Sequence, residues 1–334
     1  MHNKHLIMNK LSKLSFTVIA LLFAIGTSYG QQATNEAKQT KTLRKLENAV
    51  NFIVMGDWGR NGEDHQQLVA DQMGKTASEI GADFIISTGD NFYPSGVISE
   101  FDPLWRTSFE DIYTAFSLQW DWYPVLGNHD YKSNPDAQVA YSKISRRWKM
   151  PARYYSKKIK IPGTNEKFLI AFIDTNPLIP EFYKNLEYGP NVQSQDSTAQ
   201  KQWLVEELNK DAENISWKFV VGHHPIFTGS DKRKEGYDTR AVRHSIKNIM
   251  DDEEVDVYLA GHDHSLQHIA PKGKTHYFVS GSASEATQVG MLADSKFAQS
   301  EYGFMLFSVN AEVILVQVID YNGNLLYTTE IKKK

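Results

Sequence analysis

Five short apolar runs in this sequence each end in a glycine followed at once by a side chain that can bind a metal ion. Residues 51–55 precede Gly56-Asp57, and residues 83–87 precede Gly89-Asp90. Residues 122–126 precede Gly127-Asn128, 217–221 precede Gly222-His223, and 255–260 precede Gly261-His262-Asp263-His264. Five of the chain's 11 histidines fall in these motifs: His129, His223, His224, His262 and His264. Any one of them alone would be an ordinary histidine, and a strand-end Asp is ordinarily a turn former. Five strand ends with the same chemistry have no structural reason to coincide. A carboxylate just past a strand lies at the carboxyl edge of a sheet, where open α/β folds place their ligands. The donors are oxygen and imidazole, and the chain has no cysteine, which suits iron, zinc or manganese and excludes a thiolate site. They are too many for one ion. Asp90 offers two oxygens and so can touch two cations, and Tyr93, three residues on, can curl back to the same point. Two ions about 3.5–4 Å apart clamp a phosphoryl group and generate hydroxide between them, the logic of metal-assisted phosphoester hydrolysis.

The elements that must position these residues are legible in coarse form. Helices are expected over about 63–80, with Leu68, Met73, Ala77 and Ile80 on the apolar face, and over 103–113 and 135–144. Further helices are expected over 198–209, with Trp203, Leu204 and Leu208 inward and Asp196 or Ser197 as cap, and over 240–250. Residues 154–161 and 168–173 read as paired strands about a Pro162-Gly163 turn, and 176–196 as a polar loop long enough to be a functional lid. Strand patterns recur at 276–279, 304–309, 313–319 and 325–331, the last two joined by an Asn322-Gly323 hairpin signal. Strands and helices alternate to about residue 260, and strands dominate after it. The expected fold is therefore one α/β (α+β) domain, a two-sheet β-sandwich flanked by helices.

Residues 1–30 carry Lys4, Lys10 and Lys13, a short apolar stretch and a Ser28-Tyr29-Gly30 ending, the pattern of a secretory signal peptide. Residues 31–47 read as an N-terminal linker and 48–334 as the catalytic domain. The expected product is exported, periplasmic or secreted, with no membrane attachment after cleavage. The first 30 residues hold three lysines and no acids, so their removal takes the net charge from −4 to −7. An acidic protein of that kind is a poor non-specific nucleic-acid binder.

The motif order, Gly-Asp-x-Gly, Gly-Asp-Asn, Gly-Asn-His-Asp, Gly-His-x-Pro, Gly-His-x-His, resembles the calcineurin-like metallophosphoesterases. More narrowly, Gly56-Asp57-Trp58-Gly59, Gly89-Asp90-Asn91-Phe92-Tyr93 and Gly261-His262-Asp263-His264 resemble purple acid phosphatases of the small, tartrate-resistant (type 5) kind. Ile173-Asp174-Thr175 and Gln202-Trp203-Leu204 also resemble that group, and the likeness covers roughly residues 48–330. The resemblance implies a four-layer architecture and a binuclear centre. Asp57, Asp90, Tyr93 and His264 would hold Fe(III); Asp90, Asn128, His223 and His262 would hold a divalent ion, Fe, Zn or Mn. A phenol titrates near 10 in water, so a strongly Lewis-acidic ion is what would hold Tyr93 as phenolate, and a charge-transfer band would colour the protein. Catalysis would fall to His129, Asp90 and Asn128, with His129 either binding phosphate and protonating the leaving group or only orienting its neighbours; His129 and Asn91 would meet the substrate, and His224 would either do so or only pack by Pro225. Asp130 and Asp263 would support these groups rather than ligate. Substrates would be phosphoester small molecules or phosphoproteins.

In one respect the chain departs from that pattern. Mammalian-type members carry another cleft histidine shortly after Gly-His-x-Pro, whereas residues 226–234 hold none and carry Lys232, Arg233 and Lys234 instead. The competing expectations are a phosphodiesterase or nucleotidase on the same fold, and a non-catalytic metal-binding surface protein.

Overall fold

The computed structural model describes residues 42–333; the expected signal peptide (1–30) and most of the expected linker (31–47) lie outside them. The described end of that linker is tied down. Arg44 and Leu46 donate their backbone N–H groups to the buried side chains of Gln317 and Ser308, both at 2.9 Å. Among the described residues, no helix is long and apolar enough to cross a membrane.

The strands in chain order are β1 (Val50–Met55), β2 (Phe84–Ser87), β3 (Asp121–Pro124), β4 (Tyr155–Lys160), β5 (Lys167–Phe172), β6 (Ile215–Val221) and β7 (Val257–Ala260). They continue as β8 (Leu266–Ile269), β9 (His276–Ser280), β10 (Ser295–Gln299), β11 (Gly303–Val309), β12 (Val313–Asp320) and β13 (Leu325–Lys332). The helices are α1 (Gln66–Ile80), α2 (Pro135–Tyr141), the single turn α3 (Gly189–Val192), α4 (Ser197–Asn209) and α5 (Tyr237–Asp252). One sheet runs β13-β12-β11-β1-β2-β3 and the other β10-β8-β9-β7-β6-β5-β4. This is the expected α/β fold of two mixed sheets with flanking helices. β1, β2 and β3 are parallel neighbours in the first sheet, as are β5, β6, β7 and β9 in the second.

Strands buried on both faces read as continuous apolar runs, and β1 is buried at all six positions. Phe52 of β1 lies at the junction of the layers. Its ring stacks on Phe84 and Phe307 at 4.7 and 5.2 Å within its own sheet, and meets Phe168 and Phe219 of the facing sheet at 6.1 Å each. β13, at an edge, alternates instead, which is why its pattern looks different in the sequence.

The helices differ from expectation in detail. α1 buries Val69, Met73, Ala77 and Ile80, an i, i+4, i+8, i+11 face, and Leu68 is 48% exposed because it precedes that face by about 100° of helical turn. Residues 103–113 form only a short wide turn, Trp105–Glu110, closed by an i→i+5 bond from Asp111 N–H to Arg106 C=O at 2.9 Å. Asp196 caps α4, accepting the N–H groups of Thr198 and Ala199, both at 2.9 Å. That helix buries Gln200, Leu204 and Leu208, while Trp203 sits at its flank against the Tyr154 ring. The 176–196 segment is not an open loop. Leu178, Ile179, Phe182 and Val192 are buried, and Asn191 donates to the carbonyls of Tyr131 and Ser133, so it is a packed wall.

Candidate metal centre

The carboxyl ends of β1, β2 and β3 in one sheet and of β6 and β7 in the other bring the five motifs to one place. Three of the residues that emerge there, Asp57, Asp90 and His262, adopt left-handed backbone with φ of 60°, 48° and 68°. Such conformations cost non-glycine residues of order 1–3 kcal/mol each and persist where surrounding structure over-determines them. The flanking glycines have a specific cause. A Cβ on Gly127 would collide with Asp90 Oδ1, and one on Gly261 with Asp57 Oδ2.

The donor atoms fall into two groups. In the first, the Tyr93 hydroxyl is 3.2 Å from Asp57 Oδ1, 3.1 Å from Asp90 Oδ2 and 3.2 Å from His264 Nε2, and His264 Nε2 is 3.5 Å from Asp57 Oδ1. In the second, His223 Nε2 is 3.4 Å from Asp90 Oδ2, 3.2 Å from Asn128 Oδ1 and 3.2 Å from His262 Nδ1. Asp90 belongs to both, and both aspartates are buried.

The outer partners decide which nitrogen of each imidazole faces inward. A carbonyl only accepts, so His223 Nδ1–H donates to Thr88 C=O (2.8 Å) and leaves Nε2 toward Asp90. His262 Nε2 donates to Asp238 Oδ2 (2.8 Å) and leaves Nδ1 inward. His264 turns Nδ1 toward Glu285 Oε2 (3.3 Å) and Nε2 toward Tyr93. Histidines that bind metals are held in this way by carbonyls and carboxylates, which fix tautomer and ring orientation. Asp238 is in turn paired with Arg233 at 3.2 Å, and Arg233 also pairs with Asp263 at 3.1 Å and contacts His262 Nε2. Arg60 pairs with Glu285 at 2.6 Å and lies 3.9 Å above the Tyr93 ring.

The electrostatics are those of a buried anionic cluster. Burial pushes the Tyr93 phenol well above its usual value, and Asp90 and Asp57 push it further. Burial would lower His223 and His264, but Asp90 raises the first to about 9, and Asp57 with Glu285 raises the second to about 10. Burial would raise Asp90, yet His223, His129 and His262 hold it well below the ordinary carboxylate range. Burial and the neighbouring Asp90 raise Asp130 to about 7.

His129 lies at the rim, with its side chain 26% exposed. Its Nδ1–H donates to Pro94 C=O at 2.7 Å, so Nε2 is the free nitrogen, 4.0 Å from Asp90 Oδ2. Its backbone N–H donates to Asp90 Oδ1 at 2.7 Å. Asn91, expected at the substrate, is a correction. It is wholly buried, and its amide donates to Val125 C=O and Gln138 Oε1, both at 2.9 Å, which fixes the loop beneath Asp90. His224, also expected at the substrate, is wholly buried behind His223 and His262. Asp130 accepts the N–H groups of Gly127, Asn91 and Phe92, a loop-fixing role. Asp238, Glu285 and Arg60 were not foreseen, because each reaches the cluster from an element distant in sequence.

The residues present fit a pair of cations. Two buried carboxylates, one phenol, one amide oxygen and three imidazoles, each with one nitrogen turned inward, form two groups sharing one carboxylate. Donor atoms of Asp57, Asp90 and His223 lie within 4.8 Å of one another.

Comparison with known proteins agrees with this geometry. The profile of the calcineurin-like phosphoesterase family matches residues 50–266. Purple acid phosphatase 7 of Arabidopsis thaliana is 32% identical over 329 residues, covering 96% of this chain and 97% of that protein. Tartrate-resistant acid phosphatase type 5 of Homo sapiens is 30% identical over 304 residues, covering 86% and 92%. Among solved structures, GAP50, the anchor in the inner membrane complex of Plasmodium, superposes with a TM-score of 0.72 at 25% identity, covering 86% of this chain and 89% of that one. Purple acid phosphatase PPD1 from yellow lupin superposes with a TM-score of 0.61 at 14% identity, covering 85% and 54%.

Proposed function

The chain belongs to the purple acid phosphatases of the calcineurin-like phosphoesterase family, which are metal-dependent phosphomonoesterases, and we propose that it is an exported acid phosphatase working with one ferric and one divalent ion. The observation that carries this reading is the pair of donor groups hinged on Asp90, only one of which contains a phenol.

Asp57, Asp90, Tyr93 and His264 would hold the ferric ion, and Asp90, Asn128, His223 and His262 the divalent one, iron, zinc or manganese. When bound, such a pair supplies the charge that clamps a phosphoryl group and acidifies water. The chain's own residues do the rest. Asp90 sets the relative position of both groups and, through Oδ1, anchors the backbone of His129. His129 presents Nε2 at the solvent-facing rim, where it holds the proton that a departing alcohol needs. Burial and two aspartates push the Tyr93 phenol up, so a site of high positive charge is what would hold it as phenolate, which supports iron in the trivalent state. The wall formed by residues 176–196 places Tyr188 beside Asn128. Phosphomonoesters, as small molecules or phosphoproteins, are the proposed substrates. Export rests on residues 1–30, and the intact mass of the exported protein should begin near Gln31.

The test is metal analysis of the native protein together with its visible spectrum and hydrolysis of a simple phosphomonoester. Iron plus a second ion, a violet to pink colour and turnover at acid pH are expected. A colourless, fully active protein with two zinc or two manganese ions would overturn the ferric assignment. A protein without metals or turnover would point instead to a binding role.

A further inference from the structure

Arg60 reaches three of the four residues expected on the ferric side without being one of them. Its place is set by the loop that carries Asp57. Tyr93 donates its backbone N–H to Gly59 C=O at 2.8 Å, and a Cβ on Gly59 would collide with Asn91 C=O, so the residue after Gly59 is held against Tyr93. The guanidinium carbon stands 3.9 Å from the centre of the Tyr93 ring. Nε donates to Ser284 Oγ at 3.0 Å and Nη2 to Glu285 Oε2 at 2.6 Å, with Asp64 Oδ2 3.6 Å from Nε. Two of these anchors lead on to the centre: Ser284 Oγ donates to Asp57 C=O at 2.6 Å, and Glu285 Oε2 faces His264 Nδ1 at 3.3 Å. A guanidinium over an aromatic face is common in proteins. Here the ring is that of the expected phenolate ligand, and the side chain is fixed at the rim, 21% exposed.

We propose that Arg60 tunes the ferric side: its fixed charge against the Tyr93 ring raises the reduction potential of iron held there and moves the phenolate-to-iron band to shorter wavelength. This rests on the ferric–phenolate reading above. A guanidinium stays charged at every working pH and stacks on aromatic faces. Partly buried charges are weakly screened, so a positive charge beside the site favours the less positive of two oxidation states. Arg60 lies over the ring, whereas the donor atoms of Asp57, Asp90 and His264 gather at its hydroxyl. The charge therefore lowers the energy of the ring's electrons more than that of the metal orbitals that receive them, which widens the gap between them. Arg60 is a positioning residue and not a catalytic one. Charge and the hydrogen bonds around the ligands are the levers by which a protein sets a metal's potential.

The test is the visible spectrum and the reduction potential of the full-length mature protein loaded with iron. Arg60→Met covers the ring without a charge; its band should move to longer wavelength and its potential should fall. Arg60→Lys keeps the charge and should restore most of both shifts; a lysine variant that matches Arg60→Met overturns the role of charge. Arg60→Met also leaves Glu285 with His264 alone, so Arg60→Met combined with Glu285→Gln separates the two routes. A band that stays shifted in the double variant supports the proposal, and one that returns to the wild-type position assigns the effect to Glu285 and overturns it. A folded, iron-loaded Arg60→Met with wild-type band and potential overturns it as well. So does an unmoved band with weakened binding of inorganic phosphate, which would put Arg60 at the substrate. If Arg60→Met does not fold, Arg60→Gln is read for the same two shifts. Wild-type protein with no visible band refutes the ferric reading itself, and the proposal falls with it.

Discussion

Replacing Asp90 by Asn changes no volume and removes one charge, and the structure says how the new amide must sit. Asp90 Oδ1 accepts the His129 N–H at 2.7 Å, so the asparagine keeps its oxygen there. Its NH2 group then takes the place of Oδ2, 3.1 Å from the Tyr93 hydroxyl and 3.4 Å from His223 Nε2. An NH2 group donates and cannot ligate, so both donor groups lose their shared member. Loss of an outer partner alone typically costs about 10–100-fold in metal affinity, and loss of the shared ligand should exceed that at both positions. The effect is visible without an activity assay. Ligand at about 1,000 times its Kd stabilises the folded state by about 4 kcal/mol, so wild-type protein should gain thermal stability on metal loading while Asp90→Asn gains little. The metal-free proteins should differ far less, because the variant is isosteric. Metal-dependent Tm shifts and metal content after gel filtration are the assay. Full occupancy of both positions in Asp90→Asn, with a wild-type Tm shift, would refute the reasoning.

His129→Ala should lower turnover by about 10²–10⁴-fold, the usual share of a general acid, while metal content stays near wild type; loss of both metals would make His129 structural. Tyr93→Phe should abolish the visible band and weaken iron binding while part of the activity survives, and a retained band would mean that the colour arises elsewhere. His268, buried beside Phe278, is pushed by burial down to about 3. Its folded value lies below its unfolded one, so the stability it permits is complete above about pH 6.5 and is lost as pH falls toward 3. The loss is about 2 kcal/mol by pH 5. In His268→Gln the stability difference between pH 7 and pH 5, from denaturant unfolding, should shrink by that amount; an unchanged difference would show that His268 is not the titrating group.

The parts of this molecule that were legible in the sequence are those in which signal and consequence are contiguous. A buried strand, its terminal glycine and the side chain that follows lie within a few residues. The run into Asp57 and the run into His262 could therefore be recognised one at a time, and parallel neighbours in a sheet then bring their ends together. β8 and β10 were missed because Gln267 and His268 interrupt one apolar run, and Ser295, Lys296 and Gln299 the other. Asp238 was missed for a different reason. At the first turn of α5 an acid already has a sufficient explanation in the helix dipole, and only the fold shows it against His262 Nε2. Glu285 and Arg60 lie more than 220 residues apart yet meet at 2.6 Å, a separation no local pattern encodes.

Contiguity also misleads, and Asn91 shows how. The resemblance placed it at the substrate, next to the shared carboxylate. Asp90 instead turns the chain left-handed at φ 48°, which aims its own carboxylate at the cluster. The next side chain is sent beneath the loop, to Val125 C=O and Gln138. The turn that makes Asp90 useful is the turn that removes Asn91 from the site. His262, at φ 68°, is followed by Asp263 in the same manner: one meets His223, the other is buried against Arg233. At strand ends of this kind, the residue after a left-handed donor is better assigned to supporting the loop than to meeting substrate. His129 escapes the rule because Asn128, the donor before it, does not adopt a left-handed conformation.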